Sequence, residues 1–126
     1  MDENEISKVI VESAIEVHKT LGGPGLLESI YRDALAFEIK GRGVIVETEK
    51  PVAVKYKGEI IAAPFKLDLL AGGLVIVECK AVLTYNPIFE SQTLTYLRLT
   101  GLKLGMVINF GQRLVKHGIH RVVNGL

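Results

Sequence analysis

The sequence predicts a mixed α/β fold of the α+β kind, on three observations. A helical period runs through the first third of the chain, a period of two begins at Val44, and an unbroken apolar run, Leu74–Val77, ends in charged residues.

Ile6, Val9, Ile10, Ala14 and Val17 recur at steps of three and four, giving one apolar face to a helix over about residues 4–20. Gly22-Gly23-Pro24-Gly25 ends it. A second helix follows to about Gly41, because Leu27, Ile30, Tyr31, Ala34, Leu35 and Glu38 continue the helical period. Val44–Glu47, Pro51–Tyr56, Ile60–Leu70 and Leu74–Val82 then read as strands of an antiparallel meander, separated by Glu49-Lys50, Lys57-Gly58 and Gly72-Gly73. Asn86-Pro87 supplies a capping side chain followed by proline at the first helical position. The helix it opens carries Phe89, Leu94, Leu97 and Leu99 and stops at Gly101. Leu104–Asn109 and Ile119–Val123 return to the sheet, one of them beside Leu74–Val82 with the third helix as crossover. The expected order is ααββββαββ, a mixed sheet flanked by helices. With no repeat and no shift in composition, residues 1–126 are expected to form one domain.

The 126 residues are 48% hydrophobic and 23% charged, the make-up of a chain with a single packed core. Fifteen basic side chains against 14 acidic ones leave a net charge of +1, so nucleic-acid affinity must come from a local patch. A lone cysteine, Cys79, excludes an intramolecular disulfide framework and a four-cysteine zinc site, and the cytoplasm is the expected location. The acidic, amphipathic start is unlike a signal peptide, and no stretch approaches the roughly 20 apolar residues of a membrane helix. His18, His117 and His120 lack zinc-ligand spacing and are expected at the surface or a sheet edge.

The informative charges lie inside apolar strands. Leu74–Val77 runs directly into Glu78-Cys79-Lys80. Side chains at i and i+2 share a face about 6.6 Å apart, so Glu78 and Lys80 point the same way. Asp68 sits between Leu67 and Leu69 on the preceding strand, so three ionisable groups fall near one spot on a core sheet. Strand parity decides whether they meet. A two-residue Gly72-Gly73 loop sets Asp68 opposite Val77, facing away from Glu78. A three-residue loop, Ala71-Gly72-Gly73 or Gly72-Gly73-Leu74, sets it opposite Ile76 or Glu78. We expect the odd loop.

Magnesium takes oxygen ligands and keeps several waters, so Asp68, Glu78 and the carbonyl of Cys79 suffice as protein donors. Two carboxylates about 4 Å apart repel by up to roughly 4 kcal/mol at a partly screened dielectric, which favours a cation between them. Lys80 can orient an attacking water or stabilise charge on a phosphate. The plainer alternative is an ion pair between Glu78 and Lys80 or another basic residue at the sheet margin. The Cys79 side chain is expected as a buried small hydrophobe.

Asp68 followed by Glu78-Cys79-Lys80 resembles the signature of the PD-(D/E)XK nuclease superfamily, and Gly25-Leu26-Leu27-Glu28-Ser29-Ile30-Tyr31 resembles the motif of its GxxExxY family. The likeness continues through Phe65 to Val82, Tyr96-Leu97 and Ile108-Asn109-Phe110-Gly111, with Leu67 standing where some relatives carry proline. It implies a restriction-endonuclease-like fold and a nuclease site dependent on Mg2+ or Mn2+. In that site Glu28 joins Asp68 and Glu78 as ligands, Lys80 serves the attacking water, and Gln92 completes the catalytic set. The implied substrate is nucleic acid, DNA ahead of RNA, with no membrane role, and duplex cutting by one small site calls for a homodimer or a partner protein. Glu28 also reads as a capping-box residue if Gly25 is the N-cap. Tyr31 either bonds a site carboxylate or packs in the core. Lys66, Tyr31 and Tyr96 are candidate substrate contacts. The alternative function is an accessory module that keeps the fold and binds protein or nucleic acid without turnover.

Overall fold

A computed structural model describes residues 1–126. Helix α1 (Glu3–Thr20) starts from a capping box in which Asp2 and Glu5 satisfy each other's main-chain N–H groups, and it buries Ile6, Ile10, Ala14 and Val17. Helix α2 (Glu28–Gly41) lies against it and buries Tyr31, Leu35 and Ile39. Strands β1 (Val46–Tyr56), β2 (Glu59–Ala71) and β3 (Val75–Lys80) form the antiparallel meander. Helix α3 (Ile88–Thr100) crosses over to β4 (Leu104–Asn109), which pairs parallel with β3. A single 3₁₀ turn (Val115–Gly118) leads into β5 (Ile119–Val123), antiparallel to β4. The sheet order is β1-β2-β3-β4-β5.

Two layers of side chains hold this together. Val75, Val77, Cys79, Met106 and Ile108 face α1 and α2, while Ile76 and Val107 face Leu97 of α3. The first five residues of β3 and all six of β4 are buried, as expected of central strands covered on both faces. Helix α3 packs so closely on β4 that a Cβ on Gly105 would lie 2.5 Å from Thr93 Cγ2. Its ends match the sequence. Asn86 Oδ1 accepts the Ile88 N–H at 3.0 Å, and Gly101 closes the helix with φ of 74°.

The expected order needs one correction. Val44–Glu47 and Pro51–Tyr56 are not separate strands; Val46–Tyr56 is a single strand paired with β2. The Glu49-Lys50 punctuation marks a kink, not a turn, since Glu49 has φ of 52° and drops out of a ladder that resumes in the same register at Lys50. Its missing partner is Asp68. Leu69 and Ala71 belong to the core under α1 and α2, yet Leu67 belongs to the core under α3. Residues two apart on a regular strand share a face, so β2 turns over at Asp68.

Of the three histidines, expected at the surface or a sheet edge, only His18 departs from expectation. His18 is buried, its Nε2 3.1 Å from the Phe110 carbonyl, because the last turn of α1 lies over the end of β4. His120 is half-buried on β5 with its ring stacked 3.9 Å from that of Tyr85. His117 alone is exposed. Leu99, expected among the apolar residues of α3, is also exposed. No helix is long and apolar enough to cross a membrane.

Candidate active site

The turn between β2 and β3 is the odd one. Ala71 pairs with Val75, leaving Gly72-Gly73-Leu74 as a three-residue loop with φ of 61° and 70° at the glycines. Leu70 then pairs with Ile76 and Leu69 with Val77, so the register carries Asp68 opposite Glu78. At that point the main-chain ladder stops and side chains replace it. The Asp68 N–H donates to Glu78 Oε2 at 3.1 Å, and the Cys79 N–H donates to Asp68 Oδ2 at 2.8 Å. Each carboxylate thus spends one oxygen on the opposite strand, which fixes both side chains where the sheet opens.

The electrostatics of the pair are unfavourable in isolation. Burial pushes the Glu78 carboxyl up to about 8, the adjacent Asp68 charge and a carboxyl-to-carboxyl hydrogen bond push the same way, and the Asp68 N–H and Lys80 act against them. Near neutral pH the Glu78 carboxyl therefore holds a proton that a cation could displace. Lys80 follows two residues later on the same face, with Nζ 4.6 Å from the centre of the Phe89 ring on α3. It makes no ion pair with Glu78. The protein's five ion pairs all involve Arg32, Arg42 or Lys50, so the margin ion pair is not what holds Glu78.

Across from the carboxylates lies the start of α2. Leu27, Glu28, Ser29, Arg32 and Asp68 line a cleft of about 340 Å³. Glu28 is the first helical residue rather than the third, since Leu27 occupies the N-cap and no side chain caps the helix. The capping-box role is therefore excluded, and the Glu28 side chain turns to the cleft. Burial holds its carboxyl above the usual carboxylate range, with Asp68 reinforcing the shift and Lys80 and Arg32 opposing it. Arg32, one turn further on, bonds Asp33 at 3.0 Å and Glu49 at 3.3 Å. Glu49 is the kinked residue opposite Asp68, so Arg32 links the kink to the cleft.

A family model matches residues 4–122, nearly the whole chain. The chain belongs to the PD-(D/E)XK nuclease superfamily. Its α+β fold with a five-stranded mixed sheet is the one expected of that superfamily, whose members are generally divalent-metal dependent and act on nucleic acid. Neither the curated proteins nor the solved structures contain a significant match to the chain.

For a nuclease-superfamily metal, the donor set here is lean. No three His, Cys, Asp or Glu side chains converge closely enough to hold an ion among themselves. Two carboxylates with surplus negative charge nevertheless fit magnesium or manganese, which bind through one or two carboxylates and retain waters. Cys79 contributes its N–H to Asp68, while its thiol is fully buried and its pKa is raised well above the usual value by burial. That leaves no nucleophilic role for it.

The remaining expected residues divide. Tyr96 stacks on Phe65 at 4.5 Å, and its hydroxyl pKa is raised by burial and then by Glu78 and Asp68, so it looks towards the site. Gln92 is exposed on α3 between Phe89, which touches Lys80, and Tyr96; spacings of three and four put all three on one side of the helix. Lys66 is exposed on β2. Tyr31 is corrected from substrate contact to core residue. Its ring is fully buried and stacked 4.7 Å from Phe110, and its hydroxyl donates to the Gly23 carbonyl at 2.7 Å and accepts the Leu26 N–H at 3.2 Å. It fixes the loop that delivers Glu28, in which Gly25 has φ of 120°. Sequence reasoning missed Arg32 and Glu49. It also gave no role to Asn109, whose fully buried amide bonds both Val82 N–H and carbonyl and the Gly111 N–H, pinning the chain just after Lys80. Spacing held a clue for Arg32, which is four residues after Glu28 on one helix.

Proposed function

We propose that the chain is a nuclease dependent on Mg2+ or Mn2+ that hydrolyses phosphodiester bonds, in DNA ahead of RNA, by direct attack of water. The reciprocal Asp68–Glu78 pair carries this reading, because its buried surplus charge is what a divalent cation relieves. Asp68 and Glu78 would hold the ion, with the Cys79 carbonyl and Glu28 as further oxygen donors. When bound, the ion supplies Lewis acidity towards the phosphate and lowers the pKa of water.

The chain's own groups do the rest. Lys80 holds the attacking water or offsets charge on the phosphate, and Gln92 orients the same region from α3. The uncapped first turn of α2 offers N–H groups to a phosphate entering the cleft, beside the Arg32 guanidinium. Lys66 and Tyr96 would contact the substrate on either side.

The same reading treats 1–126 as one nuclease-like domain of the GxxExxY kind, on Gly25, Glu28 and Tyr31. It places the protein in the cytoplasm, where the lone Cys79 stays reduced. Duplex cleavage would require a homodimer or a partner protein, since one small site serves one strand.

One observation favours an accessory module without turnover, namely that no three ligating side chains converge. Incubating wild type and Lys80→Ala with single-stranded, duplex and branched DNA and with RNA, in Mg2+ and in Mn2+, separates the two. The nuclease reading expects cleavage by wild type and at least about a hundredfold loss in the variant. No cleavage of any substrate at any salt leaves the accessory reading standing.

A further inference from the structure

A second cleft, of about 450 Å³, lies where the end of α1 meets the segment after β4. It is lined by Lys19, Arg113 and Lys116 together with His18, Gly22 and Gly23, and no carboxylate lines it. All three cations are exposed and none takes part in an ion pair. Glu16, the nearest acid along α1, accepts the Thr20 hydroxyl instead. In a chain whose charges almost cancel, three unpaired cations around one concavity make a local positive field.

The walls are fixed. The Tyr31 hydroxyl holds the Gly23 carbonyl, and His18 Nε2 bonds the Phe110 carbonyl. The Asn109 amide holds Gly111, and Gly118 lies so close to the Asn109 carbonyl that a Cβ there would overlap it. The last carbonyls of α1 do not face the cleft as free acceptors, because those of Val17, His18 and Lys19 bond the N–H groups of Leu21, Gly23 and Gly22.

The loop between α1 and α2 gives Gly22 and Gly23 to this cleft and Leu27 to the Glu28–Asp68 cleft, and both clefts lie towards the end of the sheet where β3 and β4 finish. Phe110 N–H bonds the Lys80 carbonyl at 2.8 Å, so the segment leading into the basic cleft starts beside Lys80. The five Cα steps from Gly23 to Glu28 reach at most about 17 Å. At about 3.4 Å per phosphate along a strand axis, that is five nucleotides or fewer.

We infer that Lys19, Arg113 and Lys116 form a second phosphate site, which takes the sugar–phosphate backbone of the substrate strand a few nucleotides from the bond being cut. This rests on the nuclease reading for its substrate but not on turnover.

Binding of a fluorescein-labelled single-stranded DNA, followed by anisotropy across a salt series in EDTA, tests it without cleavage. The variant Lys19→Gln/Arg113→Gln/Lys116→Gln is compared with wild type and with Lys40→Gln/Lys55→Gln/Lys103→Gln, which lowers net charge equally from exposed positions elsewhere. The cleft variant should bind roughly tenfold or more weakly at low salt, with the slope of log affinity against log salt shallower by about 2, at ~0.7 per phosphate contact. The control should keep the wild-type slope. Equal losses in both variants, an unchanged slope in the cleft variant, or no binding by wild type would each overturn the proposal. Cleavage with an unchanged slope sinks the second site and spares the nuclease. A slope change without cleavage does the reverse.

Discussion

Glu78 is the residue whose chemistry is most sharply set by its surroundings. Its ordinary value is 4.5 and in the fold it is pushed up to about 8, so between those limits the unfolded chain has lost a proton that the folded chain keeps. Metal-free protein should therefore lose stability as pH rises from about 5 to 8, on the order of 1 kcal/mol per unit, and level off above. Denaturant melts in EDTA across that range check it, and Glu78→Gln should flatten the profile. Lys80 can be probed without disturbing its packing. Lys80→Met keeps the stem near Phe89 and removes the charge, so cleavage should fall about a hundredfold or more while the melting temperature moves little. At this scale Asp68, Glu78 and Lys80 were legible because charges inside apolar strands stand out. Arg32 was not, since an arginine on a helix looks the same from sequence whether it faces solvent or a cleft.

At the scale of elements, two glycine-dependent features position these residues. The three-residue loop at Gly72-Gly73-Leu74 sets parity, so deleting Gly73 should turn Asp68 away from Glu78. The folded fraction of that variant should show no thermal stabilisation by Mg2+ or Mn2+, whereas wild type should. Gly111 abuts the Val82 main chain, so Gly111→Ala should lower the melting temperature by roughly 5–10 °C, read by calorimetry. The meander, the crossover helix and its caps were readable because turn residues and hydrophobic period agree there. The division of β1 was misread. Glu49 carries a turn-like signal, but a positive φ inside a strand is a tertiary effect, imposed where β2 turns over at Asp68 and where Arg32 reaches Glu49. Histidine burial was equally hidden, since the Phe110 carbonyl that receives His18 lies 92 residues away.

For the molecule as a whole, the fold places two clefts at one end of a five-stranded sheet, one acidic with Lys80 and Arg32 beside it, the other basic. A net charge of +1 hides that separation, because the total says nothing about where unlike charges segregate. The central claim is that Asp68 and Glu78 form a divalent-cation site. Isothermal titration of Mn2+ at pH 7, in buffers of different ionisation enthalpy, tests it most directly. We expect one ion per chain, release of part of a proton as Glu78 ionises, and loss of both signals in Asp68→Asn. Binding of equal strength and proton release in Asp68→Asn, or no binding by wild type, would contradict it.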